Sequence, residues 1–151
     1  MKNQNEITAD LKGLINILND GKEGYKEAIH NVKSEELKST FMDLSNERAV
    51  YAEELKAHIL QHGDYSENED GGVLGALHRA WLDVKEVFSA NEDSAILNAI
   101  ETGEKAAIEK YDSVLKNYAD HADHYSLLNE QRNGIQKALD KIKTLSLQYQ
   151  D

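Results

Sequence analysis

The chain contains no cysteine and no proline, and only two Phe and one Trp among its 151 residues. Without cysteine there can be no disulfide, thiolate nucleophile, iron–sulfur cluster or cysteine-based zinc site. Without proline the sequence lacks the usual punctuation of strands and long loops, a pattern that favours uninterrupted helix. No apolar run approaches the ~20 residues of a membrane span, and the polar start of the chain does not read as a signal core. Cytoplasm is the expected location. Basic residues are in deficit: 17 Lys plus Arg stand against 28 Asp plus Glu, for a formal net charge of −11. Such a surface repels phosphate backbones and anionic lipid headgroups, so neither nucleic acid nor membrane is an expected partner.

What is present repeats at helical spacing almost throughout. The length suits one domain over residues 1–151. A first helix is expected over about 5–31, with Ile7, Leu11, Leu14, Leu18, Tyr25 and Ile29 on one stripe. Asn3 and Glu6 resemble a capping pair at its start. Gly21 on the inward stripe costs ~1 kcal/mol of helix stability against Ala and leaves room for a neighbouring helix. Ser34 reads as the N-cap of a second helix over about 35–62, with Leu37, Phe41, Leu44, Tyr51, Leu55 and Ile59 inward and Gly63 as a C-cap. Residues 63–72 read as an acidic loop, which lacks the spacing of a calcium-binding loop. A short helix over about 73–89 follows, carrying Leu74, Leu77, Trp81, Val84 and Phe88. Its apolar face either packs a crossover onto the bundle or forms a dimer surface. A fourth helix is expected over about 93–118 and a fifth over about 122–149, the latter capped by Asp120 or Asp123. The fold class is therefore all-α: two helical hairpins joined by a long crossover bearing a short helix.

This connectivity, with Glu23-Gly24-Tyr25, Glu47-Arg48-Ala49 and Glu101-x-x-Glu104, resembles the ferritin-like superfamily. More narrowly it is similar to a bacterial family of ferritin-like four-helix bundles of unknown function, in the stretches Asp20–Tyr25, Ala76–Trp81 and Glu101–Tyr111. The resemblance implies a carboxylate-bridged di-iron centre, built from one inward Glu on each of two helices and Glu-x-x-His on each of the other two. Glu104 matches an inward Glu. Glu47 begins a motif in which Val50 stands where His is needed, and Gln131 and Gly134 occupy the two ligand positions of the last helix. Glu23 and Glu27 project away from the apolar stripe at ~100° per residue, as does the Glu27–His30 pair. Four of the six ligand positions thus fail, and no cofactor is expected. The alternative keeps iron, with Glu47, Glu54, Glu101 and Glu104 as carboxylates.

Helical projection turns Glu104 and Arg48 inward, each near the middle of its stripe. In a ferritin-like bundle their helices run parallel and the two can meet. A buried carboxylate needs a partner, and an Arg fork meets it best. A polar network of Arg48, Glu104, Gln131, Tyr25 and Tyr111 is therefore expected, read either as a register-fixing ion pair or as a remnant functional site. His58 with His62, and His121 with His124, have spacings that can chelate a metal ion, and the topology brings both pairs to one end of the bundle. Surface histidines are the plainer reading. His78 has no evident partner. No phosphate loop, nucleophile elbow or triad spacing is present. The expected function is non-enzymatic, structural or stress-associated, acting through a protein partner or a second copy of the chain. The alternative is a di-metal oxidoreductase or iron-handling protein.

Overall fold

The computed structural model describes residues 4–61, 92–118 and 122–149. Four α-helices account for nearly all of them: α1 (Gln4–Ile29), α2 (Glu35–Gln61), α3 (Asp93–Leu115) and α4 (Ala122–Gln148). There is no strand among the described residues. The expected short helix over 73–89, the acidic loop, Gly63, Asn3, His78 and Trp81 lie outside them.

α1 pairs with α2 and α3 with α4 as hairpins, and α1 also packs against α3. Side chains join α2 to α4, as described below. The chain directions follow from which residues share a core. The last turns of α1 (Tyr25, Ala28) lie with the first turns of α2 (Leu37, Phe41) and α3 (Ile96, Leu97) and the end of α4 (Ile142, Leu145). A second cluster gathers the opposite ends, from Leu11 and Leu14 through Leu55, Ile59 and Val114 to Leu128. α2 and α3 therefore run parallel, and α2 ends where α3 does, at the far end of the bundle from the start of α3.

Local chemistry explains the helix ends. α1 stops at Ile29 rather than 31, because the next backbone N–H groups close a turn onto Glu27 and Ala28, and Asn31 Nδ2 also donates to the Glu27 carbonyl at 2.8 Å. Ser34 Oγ accepts from the Leu37 N–H at 3.2 Å and caps α2. Asp93 opens α3, but its carboxylate is turned onto the preceding hairpin: it accepts from the backbone N–H groups of Lys33 at 2.9 Å and Ser34 at 3.1 Å. That contact fastens the α1–α2 turn to the start of α3. At its far end α3 tightens into a 3₁₀ turn, Lys116–Tyr118, instead of continuing as α-helix to 118. The tightened turn buries Tyr118, whose hydroxyl donates to Asp10 at 2.8 Å. Asp123 lies inside the first turn of α4 and is not the residue before it, which corrects one of the two expected caps; Asp120 lies outside the described residues. Ile29 and Tyr51, expected inward, are only partly buried.

Candidate functional site

A polar layer divides the two apolar clusters. On α2 it falls at Arg48, between Leu44 and Ala52; on α3 at Glu104, between Ile100 and Ala107. Both side chains are fully buried. Buried glycines border the same level in sequence, Gly21 and Gly24 on α1 and Gly103 on α3.

Arg48 Nη2 donates to Glu104 Oε2, a buried ion pair linking α2 to α3. Tyr25 on α1 donates its hydroxyl to the same oxygen at 2.7 Å. The Arg48 guanidinium carbon also lies 5.7 Å from the centre of the Tyr25 ring, which adds a cation–π attraction. Burial, the largest single effect, lowers the guanidinium pKa, but the charge and hydrogen bond of Glu104, with Tyr25 and Glu47, together outweigh it and the net shift is upward. Burial raises the Tyr25 hydroxyl well above its ordinary value, and the nearby Glu104 charge raises it further. Arg48 is held cationic and Tyr25 neutral.

A second polar group sits beside the first. Tyr111 on α3 donates to Gln131 Oε1 on α4 at 2.8 Å. Gln131 Nε2 in turn donates to the backbone oxygen of Tyr51 and to Glu54 Oε1, each at 3.1 Å. The amide thus spans α3, α4 and α2, and its fixed polarity holds the α2–α4 register. Tyr51 itself comes in over Gly134: a Cβ at 134 would lie 1.8 Å from the Tyr51 hydroxyl oxygen. The hydroxyl occupies the space that any larger residue at 134 would fill. Burial, followed by the Glu47 charge, pushes the Tyr51 hydroxyl up to about 12.

The carboxylates of the iron alternative do not form one ligand cluster among the described residues. Glu104 is held by Arg48 and Tyr25. Glu54 is exposed and accepts from Gln131. Glu101 is half-buried and pairs with Lys105 one turn along its own helix, at 3.2 Å. Glu47 is half-buried, and Val50, Glu23, Glu27 and His30 are exposed. Among the described residues no three His, Cys, Asp or Glu side chains are grouped closely enough to hold a metal ion. A guanidinium at the centre of the layer opposes a di-iron cluster by charge as well as by volume. Val50 and Gly134 stand at the positions where the two Glu-x-x-His motifs of a di-iron centre need His.

The layer is incompletely satisfied. Among the described residues, Arg48 Nε and Nη1, Glu104 Oε1 and Glu47 Oε1 are buried without a hydrogen-bond partner. Such groups carry their full desolvation cost. For Glu47 that cost, larger than the opposing pull of Arg48, raises the carboxyl pKa. The folded state then holds the proton to higher pH than the unfolded chain. Stability contributed at this position therefore falls as pH rises through the two values, and the deficit is complete above the folded one. Glu47→Gln is expected to raise the melting temperature at pH 7 by roughly a degree or two, and to give no gain at about pH 4, below the unfolded value. Thermal melts at the two pH values check this. An equal gain at both would mean that the charge is not the cause.

At the far end of the bundle His58 on α2 and His124 on α4 meet. Both are buried, with Nε2 of His58 2.6 Å from Nδ1 of His124. The rings stand edge-on, at 80° with centroids 4.8 Å apart, and the Tyr118 ring lies against His124. His62 and His121 lie outside the described residues. Three features escaped the sequence reading: Asp93 on the α1–α2 turn, Tyr118 on Asp10, and Tyr149, whose hydroxyl meets Ser34 Oγ at 2.7 Å and donates to Glu36 at 2.9 Å. The only sequence signal for any of them is a Tyr or Asp placed where a helix ends.

No curated protein and no solved structure matched the chain. One family did, over residues 6–117, which take in α1 from Glu6, all of α2 and α3, and the polar layer except Gln131. That is well over half of the chain, and the chain accordingly belongs to the family described as "Domain of unknown function (DUF2383)".

Proposed function

We propose that this chain is a non-enzymatic, ferritin-like helical bundle that acts through a protein partner, its polar layer serving to fix helix register rather than to hold iron. The observation that carries the reading is the fully buried Arg48 guanidinium on Glu104. In the ferritin-like arrangement inward carboxylates at this level bind metal; here the positive charge next to Glu104 comes from the protein. A buried ion pair is weak evidence for stability and still weaker for catalysis, but it selects one alignment of its helices, because any slip leaves both charges unpaired. The two hairpins joined at opposite ends support the ferritin-like assignment.

Elemental analysis of protein made without a histidine tag in iron-rich medium tests this reading. Iron well below one equivalent, unchanged by Glu104→Ala, is expected. Stoichiometric iron that is lost on Glu104→Ala would overturn it in favour of an iron-handling protein using Glu47, Glu54, Glu101 and Glu104.

A further inference from the structure

We propose that His58 and His124 form a binding site for a divalent transition-metal ion, zinc above all, which clips α2 to α4 at the end of the bundle away from Tyr25 and Phe41. The two rings come from different helices, and one nitrogen of each points at the other across 2.6 Å. Two imidazole nitrogens that converge in this way cannot both carry a proton. One donates and the other accepts, so a single shared proton stands where an ion would. Around a tetrahedral zinc ion, with bonds of about 2.0–2.1 Å, two nitrogens lie about 3.3 Å apart. The rings need to separate by roughly 0.7 Å, within the reach of side-chain rotation at a helix end. Imidazole nitrogens favour zinc, copper and nickel over calcium and magnesium. The ion replaces the shared proton, which passes through solvent to the other ring nitrogen of the donating imidazole so that each ring binds in its neutral form, and water completes the coordination.

Burial favours the site as well. His58 is 8% and His124 7% exposed, so the pair is largely ordered before metal arrives and little side-chain freedom is lost on binding. The site is separate from the polar layer: it lies beyond Leu55 and Leu128, among the residues of the other apolar cluster. It does not depend on the register role given to Arg48 and Glu104, and its test does not use them.

Zinc titrated into tag-free protein, followed by calorimetry and thermal melting, tests the proposal. One equivalent is expected to bind and to raise the melting temperature by about 5 °C, since an ion bound only by the folded state stabilises it. His58→Gln and His124→Gln are each expected to remove both effects, while His30→Gln, at an exposed position in the turn after α1, keeps them. Each variant is compared with its own metal-free melt, so a general loss of stability does not imitate loss of the site. Magnesium is expected to give no shift. Absence of zinc binding overturns the proposal. So does binding that survives His58→Gln and His124→Gln but is lost in a His62→Gln, His121→Gln double variant.

Discussion

Replacing Arg48 with Met is expected to cost the folded state about 3–5 kcal/mol, the loss typical of removing one member of a buried ion pair. The survivor causes most of it. Glu104 would keep the Tyr25 hydrogen bond at Oε2, but its charge would remain buried with no cation beside it, and Oε1 already lacks a partner. The double change, Arg48→Met with Glu104→Leu, is expected to recover much of the loss. Two orphaned guanidinium nitrogens and one orphaned carboxylate oxygen leave the core together with the pair, and apolar side chains take their place between two apolar clusters. A urea double-mutant cycle measures the coupling directly. Additive losses from the two substitutions would show that the residues do not interact energetically.

Raising the pH is expected to unfold the chain through its buried tyrosines. Tyr25 and Tyr111 are fully buried, and burial is the leading cause that raises each hydroxyl above its ordinary value of 10.0. A group whose folded pKa is raised stays protonated in the native state while the unfolded chain ionises. Its contribution to stability is intact below about pH 10 and is lost as pH rises from there toward the folded value. The slope is about 1.4 kcal/mol per pH unit for each tyrosine, so roughly 3 kcal/mol per unit for the two together. Urea midpoints taken between about pH 9 and 12 give the profile. The same series on a Tyr25→Phe, Tyr111→Phe variant removes this part of the slope, while the lysine contributions remain in both and cancel in the difference. If all seven tyrosines ionised with helical circular dichroism unchanged, these two hydroxyls would have to reach water in the folded state.

Helix existence and the inward turn of Arg48, Glu104, Gln131, Tyr25 and Tyr111 are legible in the sequence because each depends on one helix's own period. A residue's angle from its apolar stripe is set by ~100° per step and by nothing outside the segment. The Ser34 cap is legible for a related reason, since its bond to the Leu37 N–H spans three residues. The deficit of basic residues and the absence of cysteine are compositional and need no structure. What tertiary structure decided is which of these residues meet. Tyr25, not Gln131, is the hydroxyl or amide that reaches Glu104; Gln131 turns instead to Tyr111, Tyr51 and Glu54. Tyr51 rests over Gly134, Asp93 binds the neighbouring hairpin in place of capping its own helix, and His58 finds His124. Each of these contacts depends on the axial shift and rotation between two helices. That shift is the joint result of many interlocked side chains across the core, and no single helix contains it.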